Sequence, residues 1–187
     1  MVVIDDLSLF FNSVLGLKSI RRTGWVLKVQ VKDSESVADH TFSMATIAML
    51  LSDMLGLDTH KVIKMALMHD LAESIVGDYM PGDVTPRQKL AKEKEAMRLI
   101  LSGLPKEIRE EYGEIWLEYL HNSTEIARFV HRIDKLEMAL QACQYAKQGY
   151  ADKLLSPFFK SAKTVVGDAD DIVSDVLKSL RPALAKK

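Results

Sequence analysis

The chain has 187 residues, 48% of them hydrophobic and 27% charged, enough for one full core and outside the composition of disordered chains or coiled-coil rods. Lysine plus arginine number 25 against 26 aspartate plus glutamate, a formal charge of -1, which carries no footprint of nucleic acid or of an anionic membrane as partner. A single cysteine, Cys143, cannot close an intramolecular disulfide. The longest nearly apolar run, Met44 to Leu51, falls far short of the roughly 20 residues of a membrane span, and Asp5 and Asp6 stand where a signal peptide carries basic residues. These features predict a cytoplasmic protein.

Apolar residues recur at helical spacing almost from end to end, so the expected architecture is all-α, one domain over residues 1–187 with its core at about 4–146. A first helix carries Leu7, Phe10, Phe11, Val14 and Leu17 behind an Asp5 or Asp6 cap. The segment Lys18 to Ser36, with Gly24, basic residues and a short alternation from Val26 to Val31, reads as a loop. Val37, Phe42, Ala45, Ala48, Met49 and Leu55 form the stripe of a second helix closed by Gly56. Asp58 or Thr59 caps a third, which runs through Val62, Met65 and Ala72 to an end before Gly77. Thr85-Pro86-Arg87-Gln88 is a capping box with proline at the first helical position, and the fourth helix continues toward Leu101. Gly103 and Pro105 separate it from a fifth, with a solvated charged face from Lys106 to Glu114. Asn122 or Ser123 opens a long sixth helix ended by Gly149. A loop around Ser156 and Pro157 precedes a last helix at about 170–180, and residues 181–187 read as a frayed tail.

Histidines occur at 40, 60, 69, 121 and 131, and only His69 is followed directly by aspartate. His40 falls in the first turns of the second helix, His69-Asp70 near the end of the third, and Asp134 on an otherwise apolar face of the sixth. Two imidazoles with two carboxylates suit a borderline divalent ion better than calcium, which prefers oxygen alone. Four protein ligands in an octahedral shell leave two positions open, the arrangement that lowers the pKa of water and polarises a phosphoryl oxygen. His60, His121 and His131 read as ordinary histidines, although His131, three residues before Asp134, is the one a second metal would use. By residue type alone Trp25 is equally a core anchor, Asp78 a turn residue and Arg22 a surface charge. No glycine-rich phosphate loop or nucleophile elbow is present.

The ordered set Glu35-Ser36-Val37-Ala38-Asp39-His40, then His69-Asp70-Leu71-Ala72-Glu73 through Gly77-Asp78, then Arg132-Ile133-Asp134-Lys135 resembles the HD-domain metal-dependent phosphohydrolases. With Arg21-Arg22-Thr23-Gly24-Trp25 ahead of it, the set is similar to their 5′-deoxynucleotidase branch, including the HD domain-containing protein 2 group. The resemblance implies a compact HD-domain helical bundle in which His40, His69, Asp70 and Asp134 hold one divalent ion (Mn, Co, Fe, Ni, Zn or Mg). Glu73 would be the acid/base or water-orienting group, in keeping with its place i+4 from His69 on what reads as one helix face. Trp25 and Asp78 would border the sugar and Arg22 the phosphate, although the bacterial enzymes have arginine and tryptophan adjacent where Thr23 and Gly24 intervene here. The implied reaction is hydrolysis of deoxynucleoside 5′-monophosphates by metal-activated water. The implied assembly is a homodimer, for which the aromatic residues Trp116, Tyr119, Phe158 and Phe159 offer a surface. A triphosphate or cyclic nucleotide as substrate, or a non-catalytic scaffold, are the alternatives; the first would need more cations than Arg21-Arg22, and the last would be expected to lack metal ligands.

Overall fold

The computed structural model describes residues 7–80 and 82–180, and among these the regular elements are helical, with no strand. The order is α1 (Ser8–Gly16), α2 (Val37–Leu55), α3 (Thr59–Met68), α4 (Glu73–Val76), α5 (Pro86–Leu101), α6 (Lys106–Leu120), α7 (Glu125–Lys147), α8 (Asp152–Val166) and α9 (Ile172–Leu180). Asp5, Asp6, Pro81 and the tail 181–187 lie outside the described residues.

Local chemistry fixes the starts of α2, α3, α5 and α7. Ser36 Oγ accepts from the Asp39 amide at 3.1 Å while Asp39 accepts from the Ser36 amide at 2.8 Å, a reciprocal box that seats the first turn of α2 and with it His40. Thr85 and Gln88 do the same for α5 behind Pro86. Asp58 caps α3. The cap of α7 is Thr124, just beyond Asn122 and Ser123, with its hydroxyl accepting from the Ala127 amide at 3.1 Å. Gly56 takes φ +67 at the end of α2, where a side chain would be strained.

Three expectations are corrected. The third helix does not run on to Gly77: it stops at Met68, the chain turns through residues 69–72, and Glu73 opens the separate short α4. Residues 18–36 are not all loop, since Leu17–Ser19 forms a 3₁₀ turn and Trp25–Val29 a π-helical turn ending at Gln30 with φ +61. Ser156 and Pro157 lie inside α8, which packs along α7 through Leu155, Ala162 and Val166. That burial outweighs the proline's lost amide and its clash with the preceding turn.

The apolar interior divides into two clusters. One gathers Trp25, Met44, Val62, Met65, Ile133, Leu136, Leu155 and Val173. The other gathers Leu17, Val37, Met68, Leu71, Met97, Ile100 and Trp116. The aromatic surface expected at Trp116, Tyr119, Phe158 and Phe159 is absent: Trp116 is core, and the other three pack against the first cluster. α1 and α2 carry several exposed apolar side chains instead, with Phe42 the most exposed at 72%.

Because Leu155 is fully buried between α7 and α8, Leu155→Ala should cost about 2 to 5 kcal/mol of unfolding free energy. Urea titration measures it, and a loss below 1 kcal/mol would show that α8 does not hold the core.

Candidate metal centre and active site

His40 and His69 reach the interior from different elements and meet with their rings 5.5 Å apart, edge to face. His40 stands in the second turn of α2. His69 sits where α3 breaks, and the turn that follows carries Asp70 and delivers Glu73, whose amide donates to the Asp70 carbonyl at 2.9 Å. Asp134 comes from the middle of α7. One donor atom each from His40, His69 and Asp134 lies within 4.8 Å of the others, and all three residues are buried. Asp70 abuts this triad, its Oδ2 2.9 Å from His69 Nε2 and 4.0 Å from His40 Nε2, while also meeting Arg22 Nη1 at 3.1 Å.

The imidazole nitrogens are sorted by their partners. Nδ1 of His40 lies 2.6 Å from Glu137 Oε2, and Nδ1 of His69 lies 2.7 Å from the Ala66 carbonyl. Both partners are acceptors, so each ring keeps a proton on Nδ1 and directs Nε2 inward. Each Nε2 is buried and faces a carboxylate oxygen, Asp70 Oδ2 at 2.9 Å for His69 and Asp134 Oδ1 at 3.4 Å for His40, without the geometry of a hydrogen bond. Two such ring nitrogens crowded against two carboxylates form the mixed set that a borderline divalent ion takes, and the residues present fit such an ion.

The charges agree. Burial and the Arg22 charge act against protonation of His40, but Asp134 and Glu137 outweigh them and push it up to about 9, so the acids here demand a positive charge. Asp134 is held well below the usual carboxylate range against its burial, chiefly by Lys135, whose Nζ lies 2.9 Å from Oδ2. Asp70 is likewise held low against burial by His69 and Arg22. Arg22 is raised, because its acidic neighbours Asp70, Asp134 and Asp78 more than offset its own desolvation.

His69, Asp70, Asp134 and Arg22 open onto a cavity of about 670 Å³ that also meets Trp25, Glu73, Asp78, Lys89, Lys135 and Phe158, with His40 behind them. Trp25 is 1% exposed, stacked on Phe158 with centroids 4.0 Å apart, and its indole N–H donates to Glu35 Oε1 at 2.7 Å. It is a core anchor and a cavity wall at once. Asp78 accepts from the Thr23 amide at 2.6 Å and its carbonyl from the Thr23 hydroxyl at 2.7 Å, so it clamps the segment between Arg22 and Trp25. His40, His69, Asp70, Asp134, Glu73, Arg22, Trp25 and Asp78 therefore all border this cavity or its triad.

His131 lines the cavity too, but its Nε2 bonds the Tyr119 carbonyl at 2.9 Å and its ring stacks on Tyr119, apart from the triad. His60 and His121 are exposed. Sequence reasoning missed Glu35, Glu137, Lys89 and Phe158. Of these only Glu137 had a signal, an acid three residues after Asp134 on the same apolar face.

The model of the HD domain matches residues 14–172. The chain belongs to the HD domain family. As an HD domain protein it is 42% identical to a mouse protein named 5′-deoxynucleotidase HDDC2, over 81% of this chain and 76% of the mouse protein. It is 41% identical to the protein of the same name in Dictyostelium discoideum, over 82% and 86%. Among solved structures, a Pyrococcus horikoshii protein superposes with a TM-score of 0.73 at 31% identity, covering 97% of this chain and 98% of its own. The HD pair itself is the His69-Asp70 turn between α3 and α4.

Glu73 is buried with Oε2 unpartnered among the described residues. Burial, with Asp70 and Asp78 adding to it, pushes its pKa from 4.5 up to about 10. A carboxyl raised on folding favours the native state fully below its unfolded pKa, and that contribution is lost progressively as pH rises from there toward the folded value. Metal-free Glu73→Gln should therefore be more stable than wild type at pH 7.5 by about 1 to 3 kcal/mol, with the gap closing toward pH 4.5. Urea titrations at the two pH values check this, and equal stabilities at pH 7.5 would contradict it.

Proposed function

We propose that this chain is a metal-dependent 5′-deoxynucleotidase, hydrolysing deoxynucleoside 5′-monophosphates to deoxynucleoside and phosphate. The observation that carries the reading is the convergence of His40 and His69 Nε2 on Asp134 and Asp70, without hydrogen-bond geometry, at the edge of a cavity that Glu73 also lines, in a chain whose similar relatives bear that name. In this reading His40, His69, Asp70 and Asp134 hold one divalent ion, which supplies a Lewis acid for a phosphoryl oxygen and for the attacking water.

The chain's own groups do the rest. Glu73, with its raised pKa, exchanges a proton at its free carboxyl oxygen and orients the water or the departing 5′-oxygen. Arg22 spends one nitrogen on Asp70 and keeps its remaining N–H groups for phosphate oxygens.

Charge matching favours this substrate over a triphosphate. Four cations line the cavity, Arg22, Lys28, Lys89 and Lys135, against five carboxyls, Asp70, Glu73, Asp78, Glu93 and Asp134. A divalent ion adds two positive charges, which brings the cavity close to the dianion of a phosphate monoester and leaves it well short of a triphosphate.

Discrimination against ribose follows from rigidity. Trp25 is backed by Phe158 and pinned by Glu35, so a 2′-hydroxyl meets a wall that cannot retreat, and Asp78 already gives its Oδ2 to the Thr23 amide. Overpacking of about 1 to 3 kcal/mol is roughly 5- to 150-fold, and with the added cost of stripping water from the hydroxyl the selectivity for the deoxy sugar reaches roughly 10- to 1000-fold. The same reading carries a cytoplasmic homodimer, supported by the exposed Phe42, Met49 and Leu50 of α2 and by the absence, among the described residues, of a helix long and apolar enough to cross a membrane.

Asp134→Ala should lose bound metal and turnover together, whereas Glu73→Gln should keep metal and lose about 10²- to 10⁴-fold in kcat. Metal analysis beside kcat/KM for paired deoxy and ribo 5′-monophosphates checks both. Full metal occupancy with normal turnover in Asp134→Ala rejects the metal site. Equal use of both sugars by wild type rejects the deoxynucleotidase while leaving a phosphohydrolase.

A further inference from the structure

His40 and His69 secure their outer nitrogens differently. His69 Nδ1 meets a backbone carbonyl, that of Ala66, while His40 Nδ1 meets the carboxylate of Glu137 at 2.6 Å. Glu137 is 3% exposed and stands three residues after Asp134, so α7 brings one carboxylate to each side of the same imidazole: Asp134 Oδ1 at 3.4 Å from Nε2 and Glu137 at Nδ1. A second acid, Glu35, is within reach of this nitrogen, since Glu35, His40 and Glu137 offer atoms within 4.8 Å of one another. Its Oε1 accepts from the Trp25 indole N–H, and the hydrogen-bond contact at His40 Nδ1 is that of Glu137.

We propose that Glu137 is a positioning residue for the metal centre: it holds the proton of His40 on Nδ1, fixes the ring plane and so aims Nε2 at His69 and Asp134. A ligating imidazole whose outer N–H donates to a carboxylate is both correctly oriented and a stronger donor. The Ala66 carbonyl supplies His69 with orientation but no charge, so the two imidazoles are unequal ligands. The inference rests on the reading that His40 belongs to a metal site.

The two functions of Glu137 separate by substitution. Glutamine keeps an oxygen acceptor at Nδ1 without the charge, and leucine keeps the approximate volume with no acceptor. Cobalt(II) titrations of metal-free protein, followed by visible absorption and paired with the unfolding free energy of each variant, read the effect without substrate. Glu137→Leu should bind Co(II) about 10- to 100-fold more weakly than wild type, with Glu137→Gln recovering most of that loss. Affinity of Glu137→Leu within twofold of wild type overturns the inference. Should Glu137→Leu not fold, nitrogen-15 spectra of histidine-labelled, Zn(II)-loaded wild type decide it, the His40 signals being assigned by their loss in His40→Gln. A proton on Nδ1 with Nε2 ligated is expected, and a proton on Nε2 overturns it. His40→Ala in the same cobalt titration distinguishes the two levels: lost affinity there with none lost in Glu137→Leu overturns this inference alone, and unchanged affinity in His40→Ala overturns the metal reading beneath it.

Discussion

The contact between His40 and the two acids of α7 joins the helices that frame the site, and it sets an electrostatic condition on everything around it. His40 is fully buried, Glu137 meets one of its nitrogens, and Asp134 faces the other. Asp70 and Glu73 arrive within the same interior from the turn after α3. Ionised carboxylates in such surroundings each cost several kcal/mol unless paired, so cations are drawn in from opposite sides: Arg22 from the segment ahead of α2 to Asp70, and Lys135 from α7 itself to Asp134. The lifted pKa of His40 shows that these two cations do not satisfy the acids. The remaining demand for positive charge is local, directed by oriented lone pairs, and of the kind a divalent ion meets.

The donors are anchored in both apolar clusters. Along α2, Val37 belongs to one cluster and Met44 to the other, with His40 between them. Along the next segment Met65 and Ala66 belong to the first cluster, and His69 follows the change to the second, between Met68 and Leu71, while Asp134 is flanked by Ile133 and Leu136 of the first. The polar residues thus interrupt helices whose flanks are anchored on both sides, and small displacements of any donor would require a core to move. This is how a site made of long-range contacts gains the precision that catalysis needs.

Helix periodicity made most of the architecture legible in the sequence, because capping boxes at Ser36–Asp39 and Thr85–Gln88 and the glycine at 56 act locally. It failed where tertiary demands override local preference. Nothing in the run from Val62 to Ala72 breaks a helix, yet the chain turns after Met68 so that His69, Asp70 and Glu73 can face one cavity. The shared helix face inferred for His69 and Glu73 was therefore the wrong geometry for residues that do line one cavity. Pro157 misled in the other direction, since α8 accommodates it for the sake of packing on α7. Phe158 was unreadable as a site residue because only the path of α8 brings it against Trp25. Glu137 could have been found, as an acid on a face otherwise occupied by Ile133, Leu136 and Leu140.

Trp25 shows why stability and selectivity are not separable in this fold. Its indole belongs to the larger apolar cluster, stacks on Phe158 of α8 and meets Tyr145 of α7 edge to face at 5.1 Å. The backbone that carries it is a π-helical turn, a poor element on its own, held by Asp78 at Thr23 and by Glu35 at the indole nitrogen. Glu35 in turn donates its amide to the Tyr145 hydroxyl at 3.0 Å, and its own carboxyl is raised to about 7 by burial and by Glu137. The wall of the cavity and the support of the metal donors therefore share one buried set of groups. A change that loosens the wall to admit a larger sugar also disturbs the acids around His40, and for that reason the pocket cannot be relaxed by adjusting the tryptophan alone.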